Sequence, residues 1–113
     1  MTNPGTFLRR LFETAVSAAA PHHVVGPYLP SPPAGRTVVV GAGKAAAAMA
    51  SAVEAAAPGP MEGIVVTRYG HDSPCHSIDV VEAGHPIPDA IGQTTAQRLI
   101  SLAKSLTPND LLL

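Results

Sequence analysis

Aromatic and charged residues are both scarce in this chain of 113 residues. It has no tryptophan, two tyrosines and two phenylalanines, and these do not alternate with basic residues. Seven lysines and arginines against eight acidic residues leave a formal net charge of −1. Proteins that bind nucleic acid need a basic surface and often use aromatic side chains for stacking. Proteins that bind anionic lipid also need a basic surface. The composition therefore argues against nucleic acid and membrane as partners.

Cysteine and long apolar runs are scarce as well. Because Cys75 is the single cysteine, the chain cannot form an internal disulfide, which is typical of a reducing compartment. No apolar run approaches the roughly 18 residues that are needed to span a bilayer. Arg9-Arg10 resembles part of an export signal, but Glu13 interrupts the apolar region that such a signal requires. We therefore predict a cytoplasmic protein whose residues 5–20 form an amphipathic surface helix.

A metal site is the next class that the sequence argues against. Cys75 lies close to His71 and His76 in the sequence, and these residue types are common ligands of zinc. No second cysteine and no paired histidine spacing completes a ligand set. We predict no metal site in this segment.

Residues 36–57 contain a strand, a glycine loop and a helix in succession. The run Val38–Val40 is apolar and β-branched, as in a parallel strand that is covered on both faces, and the alanine-rich segment 44–57 favours a helix. Gly41 and Gly43 allow a sharp turn with exposed N–H groups, and Lys44 adds a positive charge beside the helix N-terminus. The pattern predicts a site for a phosphate or a carboxylate.

Two known nucleotide-binding patterns fit this loop poorly. The P-loop requires a Ser or Thr after the lysine, whereas Ala45 follows Lys44. The dinucleotide pattern is matched loosely by Gly41, Gly43 and Ala46, but it expects an acidic residue after the next strand. That strand ends in Arg68, which suits a 2′-phosphate rather than a free ribose hydroxyl. A purely structural glycine turn remains an alternative.

The rest of the chain alternates strands and helices. We predict strands over 36–40, 63–67 and 78–82, a helix that Asp89 caps and Pro108 ends, and a proline-rich extended connection over 21–35. The leucines 111–113 predict the start of a further buried strand that is cut off. The alternation predicts an α/β fold with an open, mostly parallel sheet and helices on both faces, apparently truncated.

Three segments together resemble a known family. They are GAGKAAAAMA (41–50), GIVVTRYGH (63–71) and EAGHPIPDAIG (82–92), and in this order and spacing they resemble the N-terminal domain of the class II, or MOFRL-type, glycerate 2-kinases. Members of that family have also been labelled hydroxypyruvate reductases. The likeness extends over nearly the whole chain.

The resemblance implies an enzyme that uses ATP and Mg²⁺ to phosphorylate D-glycerate to 2-phosphoglycerate. It implies that residues 1–113 are part of a Rossmann-like N-terminal domain, and that the smaller C-terminal domain and the rest of the cleft are absent from this chain. On the family pattern Lys44 matches the active-site lysine, Gly41 and Gly43 match the loop glycines, and residues 85–89 match a loop near the cleft. We therefore expect that this chain does not turn over ATP unless its missing portion is supplied.

Three further residues carry hypotheses of their own. His85 could bind substrate or accept a hydroxyl proton, because imidazole titrates near neutral pH, or it could only brace its loop. For Asp89, the position before a helix favours a capping role over a role as a metal ligand. Arg68 could help to hold an anion at the end of its strand. The alternatives to a kinase are an NAD(P)H-dependent hydroxypyruvate reductase, with Arg68 on the 2′-phosphate, and a fragment without catalytic activity.

Overall fold

Four parallel strands form a single sheet in the computed structural model, which describes residues 3–113. The strands are β1 (Thr37–Ala42), β2 (Glu62–Arg68), β3 (Ile78–Ala83) and β4 (Leu111–Leu112). They lie in the order β3–β2–β1–β4, and every neighbouring pair is parallel. Val40 lies opposite Ile64, and Val38 lies opposite Leu112. The predicted α/β fold with a parallel sheet is confirmed.

Helices cover the two faces of the sheet, and two of them connect strands. They are α1 (Pro4–Ala18), α2 (Pro21–Val24), α3 (Ala46–Ala56) and α4 (Ala90–Lys104), with a short 3-10 helix at Gly26–Tyr28. Helix α3 connects β1 to β2, and α4 connects β3 to β4 in the opposite direction along the sheet. Because parallel crossovers are right-handed, the two helices lie on opposite faces.

The core on one face lies between α3 and the sheet. Its buried residues are Ala46, Ala50 and Val53 from the helix, and Val39, Val65 and Ile78 from the strands. The alanines extend only a methyl group from the helix, so the backbone of α3 comes close to the sheet. Small side chains and β-branched strand residues together explain how this short chain closes its core.

The proline-rich connection differs from the prediction. Residues 21–35 were expected to be extended throughout, but they contain α2 and the 3-10 helix, so that prediction is wrong. Pro21 opens α2 and Pro27 lies in the first turn of the 3-10 helix. Proline is well tolerated at the first position of a helix, where its missing N–H would have no partner in any case. Here the prolines start short helices instead of preventing them.

Helix α1 forms as predicted, but its apolar side is uncovered. The Asn3 side chain accepts a hydrogen bond from the Gly5 N–H at 2.8 Å and caps the helix. No residue of α1 is buried, and Phe7 and Phe12 are 52% and 69% exposed. Across residues 3–113, no helix combines the length and the apolar character that a membrane crossing would need.

Leu111 and Leu112 form the predicted additional strand, but it lies at the edge of the sheet and is not buried, since Leu112 is 47% exposed. Leu111 lies beside Thr37 and Leu112 beside Val38, so β4 is paired with β1. The connection before it is held by Asp110, whose carboxylate accepts hydrogen bonds from the N–H of Arg36 at 2.7 Å and the N–H of Thr107 at 2.8 Å. These two backbone donors lower the pKa of Asp110.

Candidate functional site

A pocket of about 270 Å³ lies where the carboxyl ends of β1, β2 and β3 meet. Parallel strands bring their carboxyl ends to the same edge of a sheet, and open α/β sheets bind ligands there. Each of the three strand ends contributes residues to its lining: Gly43 and Lys44 after β1, Thr67 and Arg68 at the end of β2, and Gly84 and His85 after β3. Three of the four predicted site residues, Gly43, Lys44 and His85, are therefore brought together.

Gly41 does not line this pocket. It lies inside β1, where an added Cβ would be 3.2 Å from Cγ1 of Val65 and 3.8 Å from Cβ of Ala46. The absence of a side chain at Gly41 thus allows β1, β2 and the first turn of α3 to pack closely. Its contribution to the pocket is indirect.

The loop after β1 is shaped by Gly43. This residue has φ +131°, a conformation that L side chains rarely adopt. Its N–H donates to the carbonyl of Val66 at 3.0 Å, so it is not free to bind an anion, contrary to the expectation from the sequence. The amides of Lys44 and Ala45 donate no hydrogen bond within the described part of the chain. The free N–H donors of this loop therefore belong to the two residues that follow Gly43, and not to Gly43 itself.

Lys44 lies in the turn before α3, not in the helix. The predicted helix start at 44 is wrong by two residues, because β1 extends to Ala42 and α3 begins at Ala46. The buried Thr67 places its Oγ1 3.4 Å from the carbonyl oxygen of Lys44. This contact connects the lysine turn to the end of β2.

Asp89 organises the loop that contains His85. Its Oδ1 accepts from the N–H of Gly92 at 2.9 Å, so the predicted cap of α4 is confirmed. Its Oδ2 accepts from the N–H of Gly84 at 2.9 Å and from the hydroxyl of Tyr69 at 2.7 Å. One carboxylate thus holds the loop after β2 to the loop after β3.

The same bonds change the titration of both partners. Hydrogen bonds from the backbone of Gly92, from the Tyr69 hydroxyl and from the backbone of Gly84 lower the pKa of Asp89. Its carboxylate in turn raises the pKa of Tyr69. Nothing in the local sequence around Tyr69 indicates that its partner lies twenty residues away.

The pocket has a positive charge. Lys44 and Arg68 are exposed, and among residues 3–113 neither forms an ion pair. The residues that line the pocket include no carboxylate. Two cationic side chains, an imidazole and free backbone amides are the groups that bind small anions.

No metal cluster accompanies these residues. Throughout residues 3–113, no three His, Cys, Asp or Glu side chains are placed together so that they could hold a metal ion. Cys75 packs against the α3 core instead, and burial together with the nearby charge of Glu54 raises the pKa of its thiol.

A second, apolar groove of about 780 Å³ begins at the same loop. Its walls are formed by α2, the 3-10 helix and α3, and include Val24, Tyr28 and Met49. Gly41, Gly43 and Lys44 also line this groove. Gly43 and Lys44 therefore border both the small cationic pocket and the larger apolar groove.

Comparisons with known proteins agree over most of the chain. The model of a family described as a domain of unknown function, DUF4147, matches residues 7–113. A protein of Agrobacterium vitis named "Putative hydroxypyruvate reductase" is 50% identical over 105 residues, which are 92% of this chain and 24% of that protein. A "D-glycerate 2-kinase" of Thermotoga maritima is 35% identical over 105 residues, covering 91% of this chain and 25% of the relative.

A solved structure shows the same fold. The crystal structure of a glycerate kinase from Thermotoga maritima superposes with a TM-score of 0.74 at 30% identity, over 88% of this chain and 25% of that one. The chain spans about a quarter of the length of the curated relatives that it matches.

Proposed function

Because this chain belongs to the DUF4147 family, which includes glycerate 2-kinases, we propose that it supplies the Rossmann-like N-terminal part of an ATP-dependent glycerate 2-kinase. In the proposed reaction the 2-hydroxyl oxygen of D-glycerate bonds to the γ-phosphorus of ATP. The bond from that phosphorus to the β–γ bridging oxygen breaks. The products are 2-phosphoglycerate, ADP and the hydroxyl proton. A kinase of this kind would work in the cytoplasm, where ATP is available.

The observation that carries the proposal is the cationic pocket at the carboxyl edge of the sheet. Phosphoryl transfer needs alignment of the acceptor and neutralisation of the charge on the transferring group, and little covalent chemistry from the protein. Lys44 lines this pocket and is exposed, and its backbone amide is free. The next amide, that of Ala45, is also free and belongs to a residue that lines the neighbouring groove. We assign Lys44 the catalytic role of stabilising the negative charge that the phosphoryl group carries during transfer.

The loop glycines support this role in different ways. The positive φ of Gly43 turns the chain so that the amides of Lys44 and Ala45 follow the end of β1. Gly41 supports phosphate binding through close packing of β1 against Val65 and Ala46. A side chain at Gly43 would strain the turn, and one at Gly41 would press on Val65 of the neighbouring strand.

His85 is the proposed acceptor of the hydroxyl proton. It lines the same pocket as Lys44, and the residue before it is held by the bond from Gly84 N–H to Asp89. An imidazole can take a proton from a reacting hydroxyl at neutral pH. If His85 only binds substrate or braces its loop, substitution of His85 should lower kcat less than it would if His85 accepts the proton.

Magnesium, which the family resemblance implies, does not fit the residues of this pocket. Mg²⁺ prefers carboxylate and other oxygen ligands, whereas the pocket is lined by Lys44, Arg68 and His85. We propose that any Mg²⁺ in the reaction is held by the phosphates of ATP and by groups other than those that line this pocket.

Hydroxypyruvate reduction with NADPH is the second candidate function. It is favoured by the name of the 50% identical relative and by Arg68 at the end of β2, where a 2′-phosphate could bind. Lys44 in the loop after β1 favours the kinase, because a lysine at this position would contact the phosphoryl group that is transferred.

Parallel assays on the complete gene product distinguish the two activities. ADP formation with D-glycerate is measured beside NADPH oxidation with hydroxypyruvate. For the kinase we expect ADP formation, and Lys44→Ala should lower kcat by on the order of 10²–10³. Lys104→Ala, a lysine at the far end of α4, is the matched control and should not change the rate. NADPH oxidation without ADP formation would contradict the kinase proposal, and a near-normal kcat in Lys44→Ala would remove that residue from the mechanism.

A further inference from the structure

We propose that Arg68 binds the carboxylate of the hydroxy acid, so that this pocket holds the small acidic substrate and its phosphorylated product. The proposal rests on the proposed function and names the substrate group that one further residue recognises. Arg68 is then a specificity-determining residue, while Lys44 acts on the phosphoryl group.

The position of Arg68 is set by the sheet. It is the last residue of β2 and pairs with Ala83, two residues before His85. The preceding residue, Thr67, contacts the carbonyl of Lys44 at 3.4 Å. Arg68 is therefore attached to rigid elements on both sides, with Lys44 and His85 as its neighbours across one pocket.

The guanidinium of Arg68 is not committed to a protein partner. Arg36 pairs with Glu62 at 2.9 Å and Arg98 pairs with Asp79 at 2.6 Å, whereas no ion pair of Arg68 is found within residues 3–113. The nearby carboxylates have other partners.

Those carboxylates are Glu82 and Asp89. Glu82 accepts a hydrogen bond from the N–H of Gly70 at 2.6 Å. Asp89 accepts from two backbone N–H groups and from Tyr69. A ligand carboxylate is thus the natural partner of Arg68, because the planar fork of arginine matches a carboxylate in a bidentate pair.

The size of the pocket points to the acid rather than to the nucleotide. Pockets for drug-sized ligands measure about 300–1,000 Å³, and this one measures about 270 Å³. It suits a three-carbon acid or its phosphate ester, and it is small for a whole nucleoside triphosphate. Two cations match the carboxylate and the phosphate of such an ester.

A pair of ligands that differ only in the carboxylate tests the proposal. 2-Phosphoglycerate and glycerol 2-phosphate share the phosphate and the carbon skeleton, and glycerol 2-phosphate has a hydroxymethyl group where the acid has its carboxylate. Calorimetric titration of the complete gene product should show 2-phosphoglycerate binding more tightly by about 10–100-fold, as one charge-assisted contact provides.

The variants separate the two cations. In Arg68→Gln the preference for 2-phosphoglycerate should fall to about threefold or less, and Arg68→Lys should give an intermediate preference because it keeps the charge without the fork. Lys44→Ala should weaken both ligands by a similar factor and keep the preference. Arg9→Gln, an exposed arginine on α1, is the control and should match the wild type.

Because the readout is a ratio of two affinities, partial loss of folded protein does not imitate the expected result. An unchanged preference in Arg68→Gln would overturn the proposal, as would equal binding of the two ligands to the wild type. The kinase proposal can fail while this one holds. That outcome would be an absence of ADP formation in a protein that still prefers 2-phosphoglycerate and loses this preference in Arg68→Gln. In kinetics, Arg68→Gln should raise the KM for D-glycerate about 10–100-fold and leave the KM for ATP unchanged; the reverse pattern would also overturn the proposal.

Discussion

Replacing Glu54 by glutamine should destabilise the fold, although Glu54 lies far along α3 from the candidate site. Its carboxylate accepts three backbone hydrogen bonds at the start of β3, from the N–H of His76 at 2.8 Å and from those of Ser77 and Ile78 at 2.7 Å. Glutamine keeps one acceptor oxygen and directs an NH₂ group at an N–H donor. The charge, which strengthens all three bonds, is lost.

The magnitude follows from the strength of those bonds. A hydrogen bond to a charged group contributes about 1.5–3 kcal/mol, and one between neutral groups contributes about 1 kcal/mol. Three bonds would suggest a larger sum, but Glu54 is only partly buried and water can replace the lost partner. We expect a loss of about 1–2 kcal/mol in the free energy of unfolding, or roughly 1 M in the urea midpoint.

The effect should depend on pH in a defined direction. Burial raises the pKa of Glu54, but the backbone hydrogen bonds from His76, Ile78 and Ser77 outweigh it, so the pKa lies below its usual value of 4.5. The carboxylate therefore stabilises the fold above the unfolded-state pKa, and this stabilisation is lost as the pH falls through the lower folded-state value.

Urea unfolding at pH 7 and at pH 3 measures this. The difference between wild type and Glu54→Gln should be full at pH 7 and smaller at pH 3. Glu13→Gln, on the exposed helix α1, is the control and should leave the midpoint unchanged. Equal midpoints for Glu54→Gln and the wild type at pH 7, or a difference that does not shrink in acid, would refute the reasoning.

Three other perturbations give separate results. Gly43→Ala should lower the free energy of unfolding by about 1–3 kcal/mol in thermal denaturation, since φ +131° is strained for any residue with a Cβ; an unchanged Tm would contradict this. In absorbance titration Asp89→Asn should lower the pH at which Tyr69 ionises, because the hydrogen bond to Asp89 raises the pKa of Tyr69; no change on that substitution would argue against the bond. Asp89→Ala should raise the KM for D-glycerate more than Tyr69→Phe does, since it frees the backbone at Gly84 as well; equal effects would locate the restraint in the Tyr69 hydroxyl alone.

The sheet could be predicted from the sequence because its signals are local. The valine run of β1, the apolar run of β2 and the leucines of β4 each indicate a buried strand within a few residues. Asp89 also has a local signal, since a cap is recognised from the residues that follow it. These elements are where the prediction and the structure agree.

The internal contacts of the site could not be predicted in the same way. The bond from Tyr69 to Asp89 joins residues twenty positions apart, and those from the start of β3 to Glu54 span a similar separation. Which N–H of the loop stays free is also a tertiary matter, because the Gly43 N–H is taken by Val66 on the neighbouring strand. Propensity says nothing about such partners, which exist only after the strands have paired.

The alanine surface of α3 has a consequence for substitutions that never touch a ligand. Ala50 is only 2% exposed and lies four positions after Ala46, the first residue of α3, or roughly 6 Å at the rise of a helix. A larger side chain at Ala50 would have to push the whole helix outward. Since α3 follows directly from the turn that contains Lys44, that displacement would also move the Lys44 ammonium. In the proposed kinase, the rate would then fall although every residue that contacts a ligand is unchanged.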